Sequence, residues 1–372
     1  MSERIGAFLL TGFLGSGKTT LLQSVLQDSA FKDTAVIVNE FGKVGLDHDL
    51  ISFSTESTVV MPGGCVCCTI REDIETSLRE LFELRDSGRI PAFNRIVIET
   101  TGIAEPVPIL LTLKANPLAQ SRLEQPCVIT VVDGVLGVET LKNFPEATAQ
   151  VASADIVVIS KTDIAEQRNV EHARKIVRDL NPWTDVSEVN LLEGGLTKLF
   201  RSARRDVNLK NELSPDALAA ITAATQAGSR DRSARRHQGV VSHSLALDEP
   251  LDWTAFGVWM TMLLHRHGAN VLRVKGLLAV DGLPGPTLFQ SAQHLVHPPV
   301  HMDAWPSEDR RSRLVFIVRN IDLDLIDASL KAFDGAARRA VPKRSDNRPA
   351  GSGGVIAGRP VRRPTTPAWI RG

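Results

Sequence analysis

Through the first ~200 residues, short apolar runs alternate with longer stretches whose apolar positions recur at helical spacing. The runs at 5–10, 35–38, 95–98, 128–132 and 156–159 are rich in Ile, Val and Leu and too short for helices, so they read as strands. Strands separated by helical segments predict an α/β fold, with a mainly parallel sheet flanked by helices. Each run closes on a polar or glycine-bearing segment: 11–20, 39–47, 99–102, Asp133 and 160–163. In an open α/β sheet, ligands bind beyond the carboxyl ends of the strands, so these five segments are where chemistry is expected.

The pattern changes after this region. Residues 206–239 are basic, polar and poor in large apolar side chains, which predicts a linker around one short helix at 215–225. A smaller C-terminal α+β domain is expected over 240–335. There Asp252 can cap a helix whose apolar face carries Trp253, Phe256, Trp259, Met260 and Leu263. Strands are expected at 271–280 and 313–319, then a helix at 323–333. The first domain is drawn as 1–205, and 336–372, rich in Gly, Pro and Arg, as a basic disordered tail.

Composition adds two constraints. Forty-three basic residues balance forty-three acidic ones, which removes any long-range pull of the whole chain toward nucleic acid or membrane. The tail alone carries nine Lys/Arg against Asp346, so it could touch an acidic client or nucleic acid; a solvated extension is the reading preferred here. No apolar run approaches the roughly 18 residues of a membrane span, and no secretory signal precedes the first strand, so a cytoplasmic location is expected.

Gly12-Phe-Leu-Gly15-Ser16-Gly17-Lys18-Thr19 fits G-x-x-x-x-G-K-[ST], set between an apolar strand and a helix-like run beginning near Thr20. Glycines let backbone N–H groups turn inward around phosphate oxygens, and the following helix adds its positive end. Lys18 is expected on the β- and γ-phosphates, and the Thr19 hydroxyl on Mg²⁺. A carboxylate must complete the Mg²⁺ site. Glu99 is preferred over its rival Asp133, because Gly102 three residues on allows close backbone approach to a γ-phosphate. No glutamine stands where it would position water, so slow basal turnover is expected.

Ser160-Lys161-Thr162-Asp163 has the form of a guanine-reading element, with serine at its first place. Asp163 would accept hydrogen bonds from the guanine ring N–H and amino group, which adenine cannot supply. The stem of Lys161 would lie along the base. GTP is therefore the expected nucleotide, with selectivity reduced by the loss of an amide at Ser160.

Four cysteines do not make a disulfide framework, and three of them, Cys65, Cys67 and Cys68, stand within four positions after Gly63-Gly64. Three thiolates on one turn suit Zn²⁺, with Co²⁺, Ni²⁺, Fe²⁺ or Cu⁺ as alternatives. Thr69 and Glu72 could cap a helix whose positive end lowers the thiol pKa values. The set is one ligand short of a closed tetrahedron, and Glu40 or a histidine could supply the fourth. A redox pair among the three is the competing reading. Cys127 reads as a small buried hydrophobe. His294, His297 and His301 have usable ligand spacing, but Pro298-Pro299 forbids one helix through them, and surface or helix-end roles are preferred.

Taken in order, 11–22, 39–47, 63–69, 99–102 and 160–163 resemble the CobW family of P-loop GTPases, which are discussed as metallochaperones. Residues 241–335, with Arg273-Val-Lys275-Gly276, look like that family's smaller second domain. The resemblance implies GTP hydrolysis, zinc or a similar metal at Cys65, Cys67 and Cys68, and delivery of metal into a client metalloprotein, with a homodimer as a further option. It also puts Glu40 in a switch segment shared by nucleotide and metal. Two departures stand out: Lys43 where the family has glutamate, and Ser160 where it has asparagine. A cobalt- or iron-loading activator of one enzyme, and a nucleotide-tuned metal sensor or buffer without turnover, are the alternative functions.

Overall fold

The computed structural model describes residues 4–27, 31–38, 59–62, 70–188 and 239–340. The N-terminal unit contains β1 (Gly6–Gly12), α1 (Lys18–Gln27), β2 (Thr34–Val38), β3 (Val59–Pro62), α2 (Ile70–Asp86) and β4 (Arg95–Glu99). It continues with α3 (Pro106–Ala115), α4 (Pro117–Arg122), β5 (Cys127–Asp133), α5 (Gly137–Asn143), α6 (Pro145–Ser153), β6 (Ile156–Ser160), α7 (Gln167–Leu180) and β7 (Asp185–Glu188). The C-terminal unit contains β8 (Val240–Leu247), α8 (Trp253–His267), β9 (Val271–Leu278) and β10 (Thr287–Ala292). After these come β11 (Leu295–Val296), β12 (Val300–His301), β13 (Ser312–Arg319) and α9 (Leu323–Ala340).

The first sheet runs in the order β3-β2-β4-β1-β5-β6-β7, with every pairing parallel. All seven residues of β1 are buried because helices cover both faces of the sheet, which is why the strand reads as continuous rather than alternating. One face packs on α2 and α3, through Leu9, Ile37, Leu78 and Ile109, and the other on α1, through Phe8, Leu10, Leu21 and Val36. Helices α3, α4 and α6 each open with proline in the first turn, where its missing N–H costs nothing. On α7 the buried positions Val170, Ala173, Val177 and Leu180 form a single stripe.

The second sheet is antiparallel, in the order β11-β10-β9-β13-β8, with β12 paired to β10. Its faces separate along β13: Leu314, Phe316 and Val318 pack on α8 and α9, while Val315 and Ile317 face the N-terminal unit. Ile317 and Leu272 join Val151, Ala152 and Leu180 in one core, so α6 is covered by both sheets and is buried from Ala147 to Ser153. The face that an isolated antiparallel sheet turns to water is thus apolar here.

Each of the five expected N-terminal strands forms; β1 reaches two residues further, to Gly12, and β4, β5 and β6 reach one residue further, to Glu99, Asp133 and Ser160. Strands β3, β7, β8, β10, β11 and β12 were not foreseen individually, because the shorter ones carry too few residues for period-two alternation to register. Asp252 caps α8 as expected, its carboxylate accepting from Ala255 N at 2.7 Å. One expectation is corrected: α9 passes Phe333 and Ala336 and ends at Ala340, since Ala-Ala-Arg-Arg-Ala is a strong helix-forming run and Pro342 follows it. The short helix expected at 215–225, the linker around it and the tail beyond 340 lie outside the described residues.

Candidate nucleotide site

β1 leads to β2 on one side of it, while its neighbour β5 leads to β6 on the other, so a crevice opens at the carboxyl ends of the two strands. Gly12 and Gly17 both take left-handed φ values, +145° and +94°. At Gly12 a Cβ would come within 2.4 Å of the Val131 carbonyl on β5, so the loop can leave the sheet here only with glycine. Gly15 (φ +70°) carries the turn at the exposed crest beside Leu14. Ser16 is buried, and α1 begins at Lys18, so Lys18, Thr19 and Thr20 occupy the first helical turn, where backbone N–H groups have no helical acceptor. The Lys18 ammonium donates to the Gly12 and Phe13 carbonyls at 2.9 and 3.2 Å, curled over the loop it is expected to serve.

The two residues expected to hold Mg²⁺ meet across the crevice. Thr19 Oγ1 donates to Glu99 Oε1 at 2.8 Å, and Glu99, at the end of β4, is only 5% exposed. A hydroxyl and a buried carboxylate converging beside a phosphate loop are the hard oxygen donors that Mg²⁺ takes. The rival Asp133 is otherwise engaged: its carboxylate accepts from Val135 N and Leu136 N at 2.7 and 3.0 Å and from the Lys161 ammonium at 2.6 Å. The segment after Glu99 is fixed to the loop. Thr100 bonds buried Thr11 at 2.9 Å, and a Cβ on Gly102 would approach the Leu14 backbone nitrogen to 2.6 Å. Gln150, which sequence reasoning missed, donates from α6 to both the Gly102 and Ala104 carbonyls at 3.1 Å. A glutamine inside an alanine-rich helix carries no motif; only its complete burial marks it.

Ser160 Oγ donates to the Ser16 carbonyl at 2.6 Å, tying the end of β6 to the phosphate loop. The tie is made by a hydroxyl, without an amide at this position. Lys161 takes φ +56°, with its ammonium on Asp133 rather than free in solvent, and its carbonyl accepts from Ala165 N at 3.0 Å to close the turn. Asp163 stands exposed on that turn, on the side of the sheet where the strands end.

Beneath this loop the two units are joined by charge. Asp155, one residue before β6, accepts from Val128 N at 2.9 Å and pairs with Arg273 of β9, whose guanidinium also donates to the Ser153 carbonyl. Burial pushes the Asp155 carboxyl up, but Arg273, Lys275 and the Val128 amide together hold it below its ordinary value. Lys275 lies 5.4 Å over the Trp183 ring, and Lys114 on α3 donates to the Val296 carbonyl at 2.6 Å, with burial lowering its pKa. His297 sits among these cations; burial, then Arg273, lowers its pKa to about 4. Its neighbours go elsewhere: His301 bonds Thr287 at 2.9 Å, and His294 packs against Gly268. Among the described residues no three His, Cys, Asp or Glu side chains converge as a metal site.

Cys65, Cys67, Cys68, Thr69 and Glu40 lie outside the described residues, as does the whole segment 39–47. What the structure places are the flanks of the cysteine segment: β3, parallel to β2, ends at Pro62, and α2 begins at Ile70. Cys127 is partly buried against the core that contains Ile129. No helix among the described residues is long and apolar enough to cross a membrane.

Residues 6–188 match the family model described as the CobW/HypB/UreG nucleotide-binding domain, and residues 240–334 match the cobalamin synthesis protein CobW C-terminal domain. The chain is 33% identical over 313 residues to the zinc chaperone YjiA of Escherichia coli, covering 84% of this chain and 93% of that protein. It is 29% identical over 356 residues to the zinc chaperone CobW of Pseudomonas aeruginosa, covering 87% and 90%. Among solved structures, Zn(II)-bound YjiA GTPase from E. coli superposes with a TM-score of 0.63 at 27% identity, covering 89% of this chain and 99% of that one. With one family model on each sheet and a full-length relative at this identity, the chain belongs to the CobW/HypB/UreG family of P-loop GTPases.

Proposed function

We propose that this chain is a GTP-hydrolysing metallochaperone that carries zinc on Cys65, Cys67 and Cys68 and releases it to a client metalloprotein as its nucleotide changes state. The observation that carries the reading is the Thr19–Glu99 contact at the mouth of the phosphate loop, with Ser160 bonded to that same loop. In this reading Lys18 exchanges the Gly12 and Phe13 carbonyls for β- and γ-phosphate oxygens. The inward N–H groups of the loop and of the first turn of α1 hold the remaining phosphate charge. Thr19 and Glu99 would hold Mg²⁺, which supplies charge neutralisation across the β- and γ-phosphates. Gly102, packed on Leu14 and held by Gln150, senses the γ-phosphate through its backbone. Asp163 reads the guanine edge from the exposed turn, and Lys161 shields the base while neutralising Asp133.

The metal is cargo. The relatives named as zinc chaperones support zinc, and the order of the chain supports coupling. The cysteine segment follows β3 in sequence, and Glu99 ends β4 two strands away in the same parallel sheet, with 39–47 and Glu40 following β2, the strand between them. Motion of the γ-phosphate contacts would reach the thiolates through these strand ends. A cytoplasmic setting, where thiols stay reduced, belongs to the same reading. The test is competition for zinc against a chromogenic chelator in the GTP- and GDP-bound states. Tighter zinc binding in one state, lost in Cys67→Ala, supports the proposal; equal affinity in both states removes the binding linkage.

A further inference from the structure

The Arg273-Val-Lys275 run, which the nucleotide site leaves unused, puts two cations two residues apart on β9 and so on one face of that buried strand. It is the face that meets the N-terminal unit, where Arg273 is bonded to Asp155 and to the Ser153 carbonyl. Lys275 is more than nine-tenths buried, at 8% exposure, and lies over the Trp183 ring. Among the described residues no oxygen accepts from its ammonium, and no carboxylate pairs with it at bonding distance. A ring face attracts a cation but supplies no lone pair to its three N–H groups.

Two more groups reach the same place from other elements. Lys114 comes from α3, bonded to the Val296 carbonyl, and His297 follows Val296 directly after β11. The charges acting most strongly on His297 are those of Arg273, Asp155, Lys114 and Lys275, so all four gather around its ring. Three cations thus face one carboxylate, which Arg273 already holds, and an excess of two positive charges is left. After burial, it is this excess that lowers the His297 pKa. Solvent reaches the group: Lys114 is exposed, His297 half-buried and the Asp155 side chain 31% exposed. No described residue seals the Lys275 nitrogen as the Trp183 Nε1 is sealed. We propose that this seam between the two units binds a small dianion of the phosphate or sulfate type, with Lys275 as its principal donor. The class follows from charge, since buried charges are paired: a dianion cancels the excess, a monoanion halves it, and a metal ion adds to it. Compactness follows from burial, because Arg273 and Lys275 are only 7% and 8% exposed and admit a single ion rather than a polymer.

An ion held by Lys114 of the first unit and Lys275 of the second bridges the two, so its binding stabilises the folded chain. The site does not depend on the GTPase reading, but the nucleotide loop also attracts phosphate, and the two places must be told apart. Phosphorus NMR of inorganic phosphate with the full-length chain, at constant ionic strength and saturating GDP, should show saturable broadening of the phosphate line. Sulfate should reverse it, and chloride at the same concentration should not. Lys275→Met should weaken phosphate at least tenfold, as loss of a charge-assisted hydrogen bond requires, while Lys18→Ala keeps the broadening. Lys114→Met, at the exposed edge, should weaken it at least threefold and carries the test should Lys275→Met fail to fold, circular dichroism reporting on each. Broadening that survives both folded variants, or that disappears with Lys18→Ala, puts the phosphate at the nucleotide loop and overturns the proposal. Absence of saturable binding at millimolar phosphate leaves an adventitious ion only and overturns it as well, Lys275 then being served by water.

Discussion

Ser160 Oγ lies 2.6 Å from the Ser16 carbonyl oxygen, so the loop that closes β6 is hydrogen-bonded to the loop that closes β1. The two loops expected to hold opposite ends of the nucleotide are thereby one unit. Ser160→Ala removes the donor and leaves a part-buried carbonyl short of a partner. A neutral hydrogen bond contributes about 1 kcal/mol, so GTP affinity should fall by about fivefold. Ser160→Asn, whose amide can reach the same carbonyl, should retain most of it. Titration with a fluorescent GTP analogue distinguishes the three; unchanged affinity in Ser160→Ala would show that the tie does not organise the site.

Glu99 and Thr19 meet at 2.8 Å, and the account gives Glu99 to the metal ion rather than to the fold. Glu99→Gln keeps size and hydrogen bonding but loses the charge. Turnover should drop at least 100-fold, while nucleotide binding in the absence of Mg²⁺ stays within about twofold; such a loss corresponds to about 2.7 kcal/mol of barrier. A variant that hydrolyses GTP at the wild-type rate would assign the metal elsewhere.

The Arg273–Asp155 pair joins the sheets beneath β6. Breaking a fully buried pair costs about 3–5 kcal/mol, but Asp155 is 31% exposed and keeps the Val128 amide, so Arg273→Met should cost about 2 kcal/mol. Adding Asp155→Leu should recover at least half of that, because the stranded carboxylate is gone. Urea denaturation of the single and double variants measures it; strictly additive losses would mean that the two side chains do not interact.

His297 predicts a pH dependence with a definite sign. Its pKa falls from 6.5 unfolded to about 4 folded, through burial and the nearby Arg273, so the unfolded chain binds the extra proton. Stability is therefore full above pH 6.5 and declines as pH falls toward 4, by up to one proton's slope. Asp155, also held below its ordinary value of 3.8, adds its own loss only below that range. His297→Gln should flatten the denaturation midpoint between pH 6.5 and 4; an unchanged slope would move the effect to another group.

Much of this was legible in the sequence because it is local. Gly12 to Thr19, Glu99 and Ser160 to Asp163 all follow apolar strands, and strand ends in a parallel sheet converge by topology. Contacts made across the chain were not legible. Gln150 reaches Gly102 from 48 residues away, and Arg273 reaches Asp155 from 118. Neither pairing leaves a periodic or compositional trace. Asp133 stood as a rival to Glu99 for a related reason: a strand-end carboxylate looks the same in sequence whether it faces a metal or, as here, Lys161 and the start of α5. The histidine triplet shows spacing without convergence, since His297 turns into a cationic pocket and His301 toward Thr287.

Zinc-coupled hydrolysis is the central claim, and phosphate release tests it most directly. Wild type and Cys67→Ala are assayed with GTP and with ATP, each with and without one equivalent of zinc. The account predicts turnover of GTP over ATP that changes at least threefold on adding zinc in the wild type and not in Cys67→Ala. Turnover indifferent to zinc and to Cys67 would contradict it, leaving a nucleotide hydrolase without a coupled metal.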